Sequence, residues 1–131
     1  MGCGNNFRCA ISGAGVHDLP AMVRYDRNYL GPYMARIALG AAGSDLRAIS
    51  PAHNAEEFST PILIVHGTKD LRVPVAQSRG LVSRLKSAGK VEGKDFMYVE
   101  QRMNTHNLPR EADRLEYLKL SIDWLAKHNP A

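Results

Sequence analysis

The sequence has little of what marks disulfide-rich, membrane-spanning or secreted proteins. Among 131 residues it holds only two cysteines, Cys3 and Cys9, whose number and spacing fit neither a zinc site nor a redox motif. No run of about 18 apolar residues is present, so we expect no membrane-spanning helix and no membrane partner. The first residues lack the basic and apolar regions of a signal peptide. We therefore expect two free thiols in a reducing compartment and, on that ground, a cytoplasmic protein.

Positive charge is in slight excess but is not concentrated. The formal net charge is +4, from 17 Lys and Arg against 13 Asp and Glu, and the whole excess lies in residues 61–131, with 12 basic and 8 acidic side chains. The densest basic clusters there are pairs such as Arg84 and Lys86. A nucleic-acid-binding surface needs a denser patch, or aromatic side chains among the basic ones. We expect no nucleic-acid partner.

The sequence does have the composition and rhythm of an α/β protein. Hydrophobic residues make up 44%, enough for a conventional core in one domain. Short apolar runs alternate with amphipathic helical patterns, which is typical of a largely parallel sheet with helices against it. We predict an α/β fold of mainly parallel strands flanked by helices.

The first half of the chain is the less regular half. The apolar run from Arg8 to Ser12 predicts a short strand that ends at Gly13-Ala-Gly15. Proline and glycine interrupt residues 16–51 four times, at Asp18-Leu-Pro20, Gly31-Pro32, Gly40 to Gly43 and Ser50-Pro51. This pattern predicts loops and short helices, such as one from Tyr33 to Leu39, that cover an edge or a site.

The second half predicts two strands, each followed by a helix. The branched apolar run from Pro61 to His66 is typical of a strand buried on both faces. A helix should begin at Pro74 and end at Gly89, with its apolar face formed by Val75, Val82, Leu85 and Ala88.

The second of these strands runs from Phe96 to Glu100, and the last helix begins near Pro109. Charged residues lie away from one apolar stripe of that helix, the pattern of a surface helix whose stripe faces the core. The stripe consists of Leu115, Leu118, Ile122 and Leu125. Tyr117 and Trp124, on the same helix, are interpreted as packing residues.

Two loops place residues suited to catalysis. Functional groups of open α/β sheets collect just beyond the carboxyl ends of the strands. Asp70 follows the buried strand, and His106 follows the next one. An acid and then a histidine after successive strands match the last two members of the Ser…Asp…His order of α/β-hydrolases. Taken singly, Asp70 could instead complement the start of the following helix, and His106 could be a solvated loop residue.

The segment His66-Gly-Thr-Lys-Asp-Leu-Arg-Val-Pro74, with His106 and an amphipathic helix after it, resembles the C-terminal catalytic region of prolyl oligopeptidase family serine peptidases. Phe7 to Gly15 is similar to the strand that follows the nucleophile helix in that family. The resemblance implies an α/β-hydrolase fold, a peptide substrate, Asp70 as the triad acid and His106 as the triad base. His66 would be a strand-end residue without a catalytic role. The family usually flanks the histidine with glycines, whereas this chain has Thr105 and Asn107.

The chemistry of these roles does not depend on the family. A neutral imidazole can accept the proton of a serine hydroxyl as it attacks a carbonyl, and return it to the leaving group. A carboxylate on the other ring nitrogen fixes the tautomer and stabilises the imidazolium. The remaining histidines lack the spacing or acidic neighbours of a metal site, so we expect no metal and no cofactor and interpret them as surface or strand-end residues. They are His17, His53, His66 and His128.

A nucleophile is missing from the pattern. No serine in the sequence lies in Gly-x-Ser-x-Gly, and Ser12 has Ala10 and Ala14 where the glycines belong. We expect the nucleophile elbow upstream of Phe7 and outside this chain. Residues 1–131 would then be an incomplete α/β-hydrolase catalytic domain that supplies Asp70 and His106 and is inactive alone.

Two other interpretations stay open. The chain could be a non-catalytic α/β module used for association, or it could come from an esterase, dienelactone hydrolase or thioesterase, since these share the Ser…Asp…His order. Three strands are few for a sheet, so we expect a homo-oligomer formed through a bare sheet edge or apolar helix faces. An in-frame Gly-x-Ser-x-Gly upstream of the Met1 codon would favour the hydrolase interpretations over the module.

Overall fold

The computed structural model describes residues 7–38 and 45–130, in which three parallel strands alternate with helices. The strands are β1 (Ala10–Gly13), β2 (Ile62–Gly67) and β3 (Phe96–Gln101). The helices are α1 (Leu19–Ala38), α2 (Ala76–Ser87) and α3 (Glu111–His128), with a 3-10 helix at Pro51–Glu57. The predicted class, α/β with parallel strands flanked by helices, is confirmed.

Strand β2 lies at the centre of the sheet, between β1 and β3. The parallel register pairs Ile11 with Leu63 and Leu63 with Met97. Because all three strands run the same way, their carboxyl ends meet at one end of the sheet. Asp70 and His106 both lie in loops at that end. Within the described residues, the outer edges of β1 and β3 have no strand partner.

Every residue of β2 is buried, as its branched apolar sequence predicts. Alternate side chains point to opposite faces of the sheet. Ile62 and Ile64 join a core cluster with α2 and the 3-10 helix. Leu63 and Val65 pack on the other face with Trp124 of α3. The domain therefore has three layers, with α2 on one side of the sheet and α3 on the other.

Helix α2 differs from its prediction at both ends. It begins at Ala76, two residues after Pro74, and the predicted face members Val75 and Ala88 lie just outside it. Gly89 has a φ of +77° and its N–H donates to the Lys86 carbonyl, so the predicted glycine cap is present. The sheet-facing residues of the helix are Leu81, Val82 and Leu85, together with the polar Gln77 and Ser78.

Helix α1 corrects the prediction of loops and short helices. Pro20 lies in its first turn, where a missing N–H costs nothing, and Asp18 Oδ1 accepts the N–H of Ala21 at 2.9 Å. These residues start a helix that was predicted to be broken. Gly31, with φ 73° and ψ 160°, interrupts the helical backbone without ending the element. The predicted piece from Tyr33 is its last part, and Leu39 and Gly40 to Gly43 lie outside the described residues.

Helix α3 presents a different face to the sheet from the one predicted. Tyr117, Leu120 and Trp124 pack against the cluster of Leu63 and Val65, so the packing role of the two aromatic residues is confirmed. These three positions recur at helical spacing, as do those of the competing stripe. That stripe is exposed, with accessible fractions of 49% for Leu115, 54% for Leu118, 63% for Ile122 and 43% for Leu125.

In the part of the chain that the structure describes, none of the helices combines the length and the apolarity needed to cross a lipid bilayer.

Candidate active site

Asp70 lies in the loop that follows β2, and its side chain is buried. Its Oδ1 accepts the backbone N–H groups of Arg72 and Val73, each at 2.9 Å. Its Oδ2 lies 2.8 Å from Nδ1 of His106. The carboxylate thus organises its own loop and faces a histidine from the next loop. It does not cap α2, which begins only at Ala76.

The environment of Asp70 favours the ionised carboxylate. Burial raises the pKa of this group, but the hydrogen bonds from the Val73 N–H, the His106 ring and the Arg72 N–H outweigh burial and hold the pKa below its ordinary value. Asp70 is therefore a carboxylate at neutral pH. Because a carboxylate can only accept, Nδ1 of His106 carries the proton of their hydrogen bond.

His106 leaves one ring nitrogen for chemistry. Its side chain is 32% exposed, in contrast to the fully buried side chain of Asp70. In residues 7–38 and 45–130, its Nε2 takes part in no hydrogen bond. With Nδ1 protonated, Nε2 carries the lone pair, so it can accept a proton from a hydroxyl placed beside it. A cavity of about 160 Å³ adjoins the ring, between the ends of β1 and β2 and the start of α3.

The loops of the acid and the base are bound directly to each other. The Lys69 N–H donates to the carbonyl of Asn104 at 3.0 Å, and the Thr68 N–H donates to that of Gln101 at 3.0 Å. The main chains approach so closely that a Cβ on Gly67 would lie 2.4 Å from the Asn104 carbonyl oxygen. Only glycine fits at position 67 in this arrangement.

Two buried amides that sequence reasoning missed lie beneath the His106 loop. Nε2 of Gln101 donates to the Asp113 carbonyl and to Oε2 of Glu116, each at 2.8 Å, and Oε1 of Gln101 accepts from Nδ2 of Asn104 at 2.7 Å. Both amides are at least 97% buried. The available signal was the place of Gln101 directly after an apolar strand, at the end of the sheet where functional loops gather.

His66 supports the acid loop from within the core. It is 1% exposed, and its Nδ1 accepts the hydroxyl proton of Ser78 at 2.7 Å while Nε2 donates to the Val73 carbonyl at 2.9 Å. Oδ2 of Asp70 lies 3.4 Å from the same Nε2. His66 therefore fixes the segment that carries Asp70, and it makes no contact with His106 through its ring nitrogens.

An ion pair holds the end of β3 from the other side. Arg79 of α2 donates from Nε and a terminal nitrogen to the two carboxylate oxygens of Glu100, at 2.7 and 2.9 Å, and the Tyr98 hydroxyl donates to Glu100 at 2.6 Å. The Arg79 hydrogen bond, with help from Tyr98, lowers the pKa of Glu100 to about 2. Glu100, the residue directly before Gln101, is thereby fixed to α2.

Ser12 does not reach the dyad of Asp70 and His106. Its Oγ lies 3.0 Å from Nε2 of His17, whose Nδ1 lies 3.3 Å from the Gly15 carbonyl. The interpretation of His17 as a surface or strand-end residue is wrong: it lies four residues after β1, and it is only 3% exposed, because these partners satisfy its ring. Burial, and secondarily the nearby His66, lowers the pKa of His17 to about 4. Such an imidazole is a weak base at neutral pH.

Comparison with known proteins agrees with this geometry. A model of the prolyl oligopeptidase family matches residues 2–130. The chain belongs to the prolyl oligopeptidase family. A relative in that comparison is a protein of Bacillus subtilis (strain 168) described as the uncharacterized peptidase YuxL, which is 33% identical over 82 residues. The match covers 60% of this chain and 12% of the relative.

Solved structures show the same fold. An acylaminoacyl peptidase of Pyrococcus horikoshii superposes with a TM-score of 0.79 at 20% identity, over 96% of this chain and 21% of the other. A puromycin-hydrolyzing peptidase of Mycobacterium tuberculosis gives 0.75 at 18% identity, over 92% and 18%. Esterase 2 of Thermogutta terrifontis gives 0.67 at 23% identity, over 94% and 42%. The chain thus spans about a fifth of these peptidases.

Proposed function

We propose that this chain supplies the acid and the base, Asp70 and His106, of a Ser-His-Asp hydrolase that cleaves peptide or related acyl bonds. The observation that carries the proposal is the 2.8 Å contact between His106 Nδ1 and a buried Asp70 whose other oxygen accepts two backbone N–H groups. The nucleophilic serine comes from outside residues 1–131, since no Gly-x-Ser-x-Gly is present in them. The region is then an incomplete catalytic domain, inactive alone.

The proposed reaction follows from the two ring nitrogens of His106. Nε2 takes the proton of the serine hydroxyl as its oxygen bonds to the carbonyl carbon of the substrate. Asp70 stabilises the imidazolium through Nδ1. The tetrahedral intermediate then collapses, the bond to the leaving group breaks, and Nε2 gives its proton to the leaving amine. Water repeats the sequence on the acyl-enzyme and releases the acid.

A first experiment tests the chain as it stands. We expect no serine to react with a fluorophosphonate probe, and no hydrolysis of a peptide anilide or of a nitrophenyl ester. Labelling of any serine that is abolished by His106→Ala would contradict the claim that the nucleophile lies elsewhere. Labelling that persists in His106→Ala would report only nonspecific reactivity, and the chain would still count as inactive.

A second experiment tests the dyad in the presence of a nucleophile. If the gene encodes Gly-x-Ser-x-Gly in frame upstream of Met1, the longer product should be labelled by the probe. Asp70→Asn should then lower kcat by about 10⁴, because the imidazole loses the partner that fixes its tautomer. Asp95→Asn is the matched control, since Asp95 also accepts a backbone N–H but at the opposite end of β3. Equal losses in the two variants would refute the catalytic assignment.

Ester hydrolysis is a second candidate within the same chemistry. The Thermogutta terrifontis esterase 2 shares the fold, and nothing in the Asp70 and His106 pair requires an amine as the leaving group. Matched amide and ester substrates with the same acyl group separate the two candidates by their kcat/KM ratio.

A non-catalytic association module is the candidate from another class. The exposed stripe of α3 and the edge of β1, which has no strand partner among the described residues, support it, because such surfaces bind partners. We propose that the chain forms a homo-oligomer through them, whether or not it is catalytic. Absence of an in-frame Gly-x-Ser-x-Gly upstream of Met1 would favour the module.

A further inference from the structure

The loop that carries His106 depends on a buried amide pair, Gln101 and Asn104. His106 itself makes one side-chain hydrogen bond, to Asp70. Two residues earlier, Asn104 is fixed at three points: its N–H donates to the Gln101 carbonyl, its carbonyl accepts from Lys69, and its Nδ2 donates to Gln101 Oε1. The position of the imidazole is therefore set by anchors on Asn104.

The partners of the amide pair determine its orientation. Nε2 of Gln101 faces the Asp113 carbonyl and the Glu116 carboxylate, which can only accept hydrogen bonds. Both N–H groups of Gln101 are used there, so its Oε1 must face Asn104. Asn104 must then present its NH₂ group to that oxygen. The donor and the acceptor of each hydrogen bond between α3, Gln101 and Asn104 are therefore fixed.

Because both amides are buried, the loss of one of these hydrogen bonds would affect the position of the loop. Gln101 is 2% exposed and Asn104 is 3% exposed, so water cannot replace a lost partner. Oδ1 of Asn104 already has no hydrogen-bond partner among the described residues, so one more unsatisfied amide group here would be costly, and the loop would move to satisfy it. Movement of Asn104 would carry His106 with it, and would also release the Lys69 N–H of the acid loop.

We infer that Gln101 and Asn104 are positioning residues for His106, and that they hold its Nδ1–H on Asp70 by joining the base loop to α3 and to the acid loop. This inference rests on the proposed function of the dyad. It assigns a role to two residues that do not touch the reacting atoms, and it makes Glu116 an outer member of the same unit.

The test follows the His106 Nδ1 proton by NMR in the intact chain, which needs no nucleophile. A proton shared with a buried carboxylate gives a resonance far downfield of the amides and exchanges slowly with water. In Asn104→Leu and Gln101→Met, which preserve volume, we expect exchange of this proton to be faster by roughly tenfold or the resonance to be lost. The double variant should match the single variants, because the two amides act as a unit.

Controls separate positioning from general loosening. Asn54→Leu removes an amide that donates to three backbone carbonyls in another loop, and it should leave the His106 resonance unchanged. Glu116 is exposed, so Glu116→Ala keeps the fold even if the buried variants do not. In Glu116→Ala we expect the exchange rate of the His106 Nδ1 proton to rise roughly threefold. In Glu116→Gln, which retains an acceptor oxygen, we expect this rate to stay near that of the wild type.

Each outcome decides something different. If the wild-type chain lacks the downfield resonance, or if Asp70→Asn leaves it in place, the proposed dyad fails. If Asp70→Asn removes the resonance while Asn104→Leu, Gln101→Met and Glu116→Ala all retain wild-type exchange, the dyad stands and the positioning role is overturned. A change in Asn54→Leu as large as in Asn104→Leu would also overturn it.

Discussion

At the scale of single residues, Gly67 has one of the closest surroundings among the described glycines. A methyl group there would meet the main-chain carbonyl of Asn104 at 2.4 Å, and main chain cannot swing aside as a flexible side chain can. We expect Gly67→Ala to lower the free energy of unfolding by about 1–3 kcal/mol or more, as overpacking does. Urea unfolding followed by circular dichroism measures the change.

Gly80 provides the matched control for this substitution. It lies within α2, and a Cβ built on it meets nothing within 4 Å. Gly80→Ala should stabilise the chain by about 0.5–1 kcal/mol, because alanine loses less backbone entropy in a helix. The same substitution thus has opposite signs at the two sites. A similar effect at both would show that the two loops do not pack as described.

His17 gives the stability of the fold a pH dependence. Its pKa is about 4 in the folded chain, lowered by burial and by His66, against 6.5 for an ordinary histidine. Between these values the unfolded chain binds a proton that the folded chain does not, so the free energy of unfolding falls as the pH is lowered. This contribution is complete above pH 6.5 and declines towards pH 4.

We expect the wild-type chain to lose about 2 kcal/mol of stability through His17 between about pH 7 and pH 5. His17→Asn, which has no group that titrates in this range, should lose correspondingly less. Urea unfolding of both proteins at the two pH values gives the difference. Parallel losses in the two proteins would mean that His17 is accessible to water and titrates normally.

The catalytic candidates could be predicted from sequence, whereas their supports could not. Asp70 and His106 each follow an apolar strand, and that local position brings them to one end of a parallel sheet. Gln101 is buried against Asp113 and Glu116 of α3, and the His17 main chain donates to Gln77 of α2, and only the folded chain brings these partners near. Nothing in the neighbouring sequence reveals such a partner.

At the scale of elements, strands were easier to predict than helix boundaries and faces. The continuous branched, apolar sequence of β2 has one interpretation, a strand buried on both faces, because such a strand shows no alternation of polar and apolar residues. Helix α1 was missed because Pro20 can either break a helix or begin one, and the hydrogen bond that Asp18 accepts from the Ala21 N–H decides between them. Helix α3 has two apolar stripes at helical spacing, and only packing against Leu63 and Val65 selects one.

Substitutions on the two stripes of α3 should therefore differ. Trp124 is 4% exposed and packs on the sheet, so its replacement by alanine should lower the free energy of unfolding by about 3–5 kcal/mol. Leu118→Ala on the exposed stripe should change the free energy of unfolding of the monomer by less than about 0.5 kcal/mol. Thermal and urea unfolding of dilute samples compares them. Comparable costs would contradict the difference in burial between the two stripes, and a larger cost for Leu118→Ala would place the leucine stripe, and not Trp124, against the sheet.

At the scale of the whole molecule, the exposed stripe of α3 bears on association. Its four side chains, Leu115, Leu118, Ile122 and Leu125, are each between 43% and 63% exposed and lie on one face of one helix. The spacing of three, four and three residues is that of a helix-pairing seam. We expect the chain to sediment as a dimer or a larger homo-oligomer at micromolar concentration.

Charge placed on this stripe should reverse the association. We expect Leu118→Glu and Ile122→Glu to sediment as monomers with unchanged circular dichroism. Val91→Glu is the control, because Val91 is also an exposed apolar residue, at 54%, but does not belong to the α3 stripe. A stable wild-type monomer would refute the proposal. If both α3 variants remain oligomeric, the interface would be assigned instead to the edge of β1, which has no strand partner among the described residues.

The parallel register also has a kinetic consequence. Pairing β2 with β3 joins Leu63 to Met97, 34 residues along the chain, whereas pairing β1 with β2 joins Ile11 to Leu63, 52 residues apart. The longer closure costs only about 0.4 kcal/mol more in chain entropy, but it gains four paired positions where the shorter one gains six. Both terms favour β2–β3 as the earlier event in folding. Asp70 lies within that early unit and His106 follows it by five residues, so we expect acid and base to meet before β1 joins the sheet.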